Sequence, residues 1–345
     1  MQPDAAVREG FREQARWCEQ LGSPFTARIC AATAEILDPD TPLGARLLEW
    51  PGDTMRDALP LRLTGGLHAL VRAGEAPDLA RLYPPAPPPS DEALRAALAR
   101  TISEQAAALD PWLDTAPQTN EVGRSALLMS GLLVIAERFG LPLRLFELGA
   151  SAGLNLQLDR YCYDLGGLQT GEPGSRVRLK PDWKGPPPPS AQVRIAGRSA
   201  VDLNPIDPIT ERERLIAYLW PDQEARLARF QAALDIAALE PPLVTRGDAA
   251  DWLEAQLAAA PESGVCRVVL HSVAYQYFPP ATRQRIRARI DGAGAVSHAD
   301  APLAWLRFEM MAGEAHFSLR LRTWPGEEKL LAWSHPHGSW TEWVA

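Results

Sequence analysis

Between Leu143 and Leu156 the chain reads LRLFELGASAGLNL. A continuous apolar run ends in an acid, Glu147, and two glycines, Gly149 and Gly153, follow with only small residues between them. A strand that is apolar at nearly every position is covered on both faces, as in a parallel sheet packed between helices. Glycines directly after such a strand permit positive φ or the close approach of another chain segment or a ligand. The stretch therefore predicts strand, turn and then a helix from about Ala152. What approaches the turn so closely is the question it poses.

The flanking grammar divides the chain. Up to about residue 140, apolar positions recur at helical spacing, as in Phe11, Ala15, Cys18 and Leu21, or Leu94, Leu98 and Ile102, and no strand alternation appears. The proline run YPPAPPPSDE is an extended linker whose Ser90, Asp91 and Glu92 supply a cap and acids for the next helix. A helix over 122–139 then ends at Gly140 and Pro142. From Leu143 onward, strands alternate with helices: SAVDL, PLVTRGD and CRVVLHSV as strands, ADWLEAQL and ATRQRIRARI as helices. Thr210 with Glu213 has capping-box spacing, and Pro221 divides the helical segment that follows. WLRFEM, HFSLRLRTW and KLLAWSH close the chain as strands without long helices between them. The reading is an α/β fold: a doubly wound, mostly parallel sheet with an antiparallel C-terminal hairpin at one edge, and a helical N-terminal domain. The domains are 1–117, expected to cap the substrate side, and 118–345, the latter with an insertion at about 161–197.

Composition narrows the partners. A formal charge of -8 and a pI near 5.4 argue against a polyanion as the main partner, since nucleic-acid binding needs basic faces. Four dispersed cysteines with no C-x-x-C pair fit a reducing compartment rather than a disulfide framework or structural zinc. The polar N-terminus is neither signal nor transit peptide, and the longest apolar run, 126–136, is too short for the roughly 20 residues that span a bilayer. A cytoplasmic protein with a small-molecule substrate is expected, without nucleic acid or membrane, and the oligomeric state is open.

In a doubly wound sheet, ligands bind where strand ends meet helix N-termini. The dinucleotide fingerprint G-x-G-x-x-G has Ser151 at its middle position here and Leu154 at its third, which disfavours a pyrophosphate. The stretch ELGASAGLNL resembles the first motif of class I methyltransferases. Together with QTNEVGRS, VDLNP and LHSVAYQY it makes nearly the whole chain resemble DUF2332, a bacterial family defined only as a domain of unknown function. The methyltransferase resemblance implies S-adenosylmethionine as cofactor. It places Glu147, Gly149 and Gly153 at the methionine part, Asp202 at the ribose and Asp248 at the adenine edge, with Ser151, Asn155 and Ala249 as further cofactor contacts. Ser151 and the insertion before Asp202 depart from that pattern. The bland readings are a helix-entry acid at Glu147, tight packing at the glycines and a turn residue at Asp202.

Methyl transfer is an in-line displacement, so positioning dominates and a base serves only an acceptor that carries a proton. His271 is the candidate base at the end of its strand, against the reading of a histidine bonded to backbone. Ser272, Tyr275 and Gln276 lie beside it as acceptor contacts. In QTNEVGRS, Asn120 and Arg124 are candidate acceptor contacts and Glu121 a second candidate catalytic residue, against the reading of a helix cap. His335-Pro-His337 reads as a turn rather than a metal site, and Arg283, Arg285, Arg287 and Arg289 as a solvated helix face. No nucleophile elbow or Walker loop appears. The alternatives are an NAD-linked oxidoreductase on a similar sheet, and a non-catalytic adenosyl-ligand-binding protein.

Overall fold

The computed structural model describes residues 3–345 as two compact units. One comprises the chain up to Thr119 together with Glu211–Ala228; the other comprises Asn120–Thr210 and Arg229–Ala345.

The first unit is helical. Its longer helices are Pro3–Gln20, Pro24–Ile36, Leu59–Ala73 and Asp91–Glu104. Proline opens several of them, where the missing N–H costs nothing. The Ser90 hydroxyl accepts from the Ala93 N–H, as its position before the acids predicts. Phe11, Ile29, Leu47, Leu63, Leu67 and Leu98 form one buried core. The Thr210 capping box does not form. The helix Arg212–Ala217 starts from Glu211 without a side-chain cap, because the Thr210 N–H turns back to Asp207 instead.

The second unit is built on a nine-stranded sheet. Its strands are β1 (Leu143–Leu148), β5 (Asp182–Lys184), β6 (Ile195–Asp202), β7 (Val244–Arg246), β8 (Cys266–Ser272), β9 (Leu303–Glu309), β10 (Phe317–Trp324), β11 (Glu328–Ser334) and β12 (Trp340–Trp343), in the order β5-β12-β11-β10-β9-β8-β1-β6-β7. The five strands from β7 to β9 run parallel, and β9 to β12 form an antiparallel meander. The insertion contributes β2 (Cys162–Leu165), β3 (Leu168–Gly171) and β4 (Arg178–Leu179), which make a separate small sheet, while β5 extends the main sheet beside β12. Every residue of β8 is buried, the burial pattern of a central parallel strand. One face of the parallel part packs Phe146, Val269 and Trp305 against Trp252 and Leu253 of the helix Ala249–Gln256 and Ile286 and Ile290 of the helix Pro280–Ala295. All four cysteines are free. Among the described residues no helix is long and apolar enough to cross a membrane.

Chain order places β6 and β7 on one side of β1, and β8 and β9 on the other. Strand order therefore reverses beside β1, which makes the carboxyl end of that strand the topological switch point, where doubly wound sheets hold their ligands.

Candidate functional site

The turn after β1 is as tight as its glycines predict. Gly149 and Gly153 have φ of 71° and 72°, and Ser151 between them also adopts a left-handed φ of 55°. The Gly149 and Ala150 N–H groups donate to the carbonyl of Val201 at the end of β6. What approaches the glycines is the chain itself. A Cβ on Gly149 would stand 2.5 Å from the Ala274 Cβ, and one on Gly153 would stand 2.8 Å from Pro242. The packing reading therefore explains both glycines.

The expected α-helix after the turn is instead a 3₁₀ helix, Leu154–Arg160. Its first N–H, that of Leu154, is taken by the Asn120 side chain, which itself sits at φ 35°. Asn155 is buried and accepts from the Ser125 hydroxyl, so it ties the turn to the helix Ser125–Phe139 rather than facing a ligand.

Buried polar atoms at this edge are left over, Glu309 Oε2 at the end of β9 among them. Glu147 is 1% exposed and its Oε2 has no hydrogen-bond partner; the buried Ser151 Oγ has none either. Burial, and then the negative charge of Asp202, push the Glu147 carboxyl up to about 8, while Arg124 pulls it the other way. Asp202, at the end of β6, accepts from the Ser151 N–H at 2.8 Å and the Asn204 N–H at 2.8 Å, so it joins the glycine turn to VDLNP. Arg124 reaches across this edge, donating to the carbonyls of Ser272 at 3.1 Å and Pro336 at 2.9 Å. The switch point thus gathers Asn120, Arg124, Glu147, Ser151, Asp202 and Ser272.

Other expected residues serve the scaffold. Asp248 is the N-cap of the helix Ala249–Gln256: its Oδ1 accepts from the Ala250 and Asp251 N–H groups, and Ala249 is buried as the first helical residue. Glu121 caps the 3₁₀ turn Val122–Arg124 through the Gly123 N–H and lies 3.9 Å from Arg229. It is 1% exposed, and its part is to shape the segment that carries Arg124. Gln276 is exposed, whereas the Tyr275 ring stacks on His271 and its hydroxyl donates to the Arg283 carbonyl. The His335 ring accepts the His337 N–H, which makes HPH a turn, and that turn lies against Gly123. Among the described residues no group of three or more His, Cys, Asp or Glu could hold a metal.

The general-base assignment of His271 is corrected by its partners. The ring is fully buried; Nε2 accepts from the Trp305 indole N–H at 3.1 Å, and Nδ1 lies 2.7 Å from Glu309 Oε1. An indole N–H only donates, so Nε2 carries no proton and Nδ1 donates to the carboxylate. No ring lone pair remains to take a proton from a substrate. Glu309 itself was missed in the sequence. The same Oε1 also accepts the Ala274 and Tyr275 N–H groups, at 3.0 and 3.1 Å. It holds the loop after β8 in a shape that puts Val273, a β-branched residue, at φ 52°. That loop presents Ala274 to Gly149 and the Ser272 carbonyl to Arg124. A signal existed: FE ends β9 in WLRFEM as it ends the apolar run in LRLFEL.

Compared with known proteins, the chain matches no curated protein and no solved structure. A family profile described as "Uncharacterized protein conserved in bacteria (DUF2332)" matches residues 8–343, and the chain belongs to that family.

Proposed function

We propose that this chain binds S-adenosylmethionine at the carboxyl end of β1 and transfers its methyl group to a small-molecule acceptor. The observation that carries the reading is Glu147: a buried carboxyl with an unpartnered oxygen, at the switch point, beside a second acid. Such a group is complementary to a ligand that brings a positive charge or hydrogen-bond donors, and S-adenosylmethionine brings both. Glu147 and Ser151 would hold the methionine part and Asp202 the ribose hydroxyls. The cofactor supplies an electrophilic methyl group; the protein holds donor and acceptor in line, with Arg124 placed to engage an anionic acceptor group.

The NAD-linked alternative is disfavoured on two counts. A pyrophosphate is held by the N-terminus of an α-helix, and the segment after this turn is a 3₁₀ helix whose first N–H is already used by Asn120. Its negative charge would also meet Glu147 and Asp202. A second reading, binding of an adenosyl ligand without turnover, is favoured by one observation: both nitrogens of His271 are engaged. The methyltransferase reading accordingly requires an acceptor atom that carries a lone pair without help from His271.

Isothermal titration with S-adenosylmethionine, S-adenosylhomocysteine and NADH tests the proposal. Both sulfur ligands should bind and NADH should not. Because a cationic ligand favours ionised Glu147, affinity for S-adenosylmethionine should rise with pH up to about 8 and then level off. Below that point it should weaken by about tenfold per pH unit. Binding of NADH alone would overturn the reading, and ligand binding without methylation of any acceptor from a metabolite extract would select the non-catalytic one.

A further inference from the structure

The opposite, N-terminal edge of the same parallel strands carries an unbalanced positive charge. Arg267, the second residue of β8, is 5% exposed, and its Nε and Nη2 atoms are buried without a hydrogen-bond partner. Arg144 is its register neighbour on β1 and so lies on the same face. Arg289 comes from the helix Pro280–Ala295, the one expected to present a solvated basic face. It turns inward, donates Nη2 to the Leu257 carbonyl, and leaves a buried Nε without a partner. Of these three guanidiniums that of Arg144 is ion-paired, with Glu262 at 2.7 Å. Burial, followed by the charge of Arg289, holds Arg267 below the ordinary arginine range, and among the described residues no carboxylate is ion-paired with it.

A guanidinium does not shed its proton at any working pH, and an unpaired buried charge costs several kcal/mol. The cost is relieved by a counter-charge. Nε and Nη2 are the adjacent pair whose N–H bonds run parallel, the fork that grips two oxygens of one anion. We propose that Arg267 and Arg289, with Arg144 at the rim, form a binding site for a small oxyanion at the N-terminal edge of the sheet. The ligand class is a phosphoryl or carboxylate group rather than a halide, because the fork is matched to two oxygens. The site shares no residue with the Glu147 edge and stands whether or not that edge binds an adenosyl ligand.

The test compares melting temperatures in low-millimolar inorganic phosphate, acetate and chloride at equal ionic strength, so that general salt effects cancel. The full chain should melt roughly 2 to 4 °C higher with phosphate or acetate than with chloride, the response of an anion that binds only the folded state. A phosphate response assigns a phosphoryl ligand, and an acetate response a carboxylate. In Arg267→Met the response should vanish, with stability in chloride equal to or above that of the parent, since the variant no longer buries an unpaired charge. Should that variant fail to fold, Arg289→Gln keeps a donor for the Leu257 carbonyl and should lose most of the response. Equal melting in all three anions, or an undiminished response in the variant tested, overturns the proposal.

Discussion

The two ends of one parallel sheet are charged in opposite senses. At the carboxyl ends of the strands, Glu147 and Asp202 lie close to each other, and Glu147 keeps a buried oxygen without a partner. At the amino ends, Arg267 keeps two buried nitrogens without a partner and Arg289 one more. Between them run Phe146, Val269 and Trp305, a dry core that cannot bridge the charges. A fold that needed only stability would pair its buried charges or replace them with hydrocarbon, because either is cheaper than an orphaned charge. The difference lies in how each end meets its cost. The acid end raises a carboxyl pKa to about 8, so Glu147 is neutral over much of the pH range; an arginine has no such escape. The acid end is therefore switchable by protons, and the arginine end only by ions.

The largest effect is expected from breaking the acid end mechanically. Glu309→Ala removes the acceptor shared by His271, Ala274 and Tyr275 and should destabilise by on the order of 3 kcal/mol or more, because buried donors are left unsatisfied. Glu309→Gln keeps a carbonyl oxygen and should recover most of the loss. Urea unfolding measures both. A midpoint unchanged in the alanine variant would show that the loop after β8 needs no brace, and equal losses in the two variants would mean that the charge matters rather than the acceptor.

The next effect sharpens the contrast through pH. Folding raises the Glu147 pKa from 4.5 to about 8, so the folded chain keeps a proton that the unfolded chain loses. This contribution is fully present below pH 4.5, falls as pH rises toward about 8, and is gone above it. Glu147→Gln should remove that slope and be more stable than the parent at alkaline pH, by on the order of a few kcal/mol. Parallel stability curves for parent and variant would show that Glu147 ionises normally, and the switchable end would lose its meaning.

The smallest effect separates scaffold from site. Asp248→Ala should cost about 1 kcal/mol, the worth of an N-cap, with adenosyl-ligand affinity unchanged. A large loss of affinity in a folded Asp248→Ala protein would restore the adenine contact that the methyltransferase resemblance implies.

How far the site was legible follows the range of the interactions. The strand β1, its turn, the Ser90 cap and the HPH turn were readable because each rests on residues within a few positions of one another. So was the place of Glu147, an acid near the end of a strand that is apolar at nearly every other position. The 3₁₀ helix after the turn was not: Ala152 to Leu158 has helical composition, and it is the Asn120 side chain, 34 positions away, that takes the first N–H. His271 was misread for the same reason. A histidine ending a strand beside the switch point has the right chemistry for a base, but its role depends on Trp305 and Glu309, 34 and 38 positions away.

Amino-acid order alone determined the α/β architecture, because burial on two faces writes itself as an unbroken apolar run and burial on one as a period. It also determined that nothing larger than a hydrogen fits at Gly149 and Gly153, since only positive φ or close approach calls for glycine there. Tertiary structure alone decided that Ala274 and Pro242 are what comes close, that the Trp305 indole takes the lone pair His271 would need as a base, and that Arg267 meets another arginine where an acid would have neutralised it. Local order sets which groups a strand or turn can offer; whether a buried lone pair or N–H finds a partner depends on side chains that only the folded chain brings within hydrogen-bond distance.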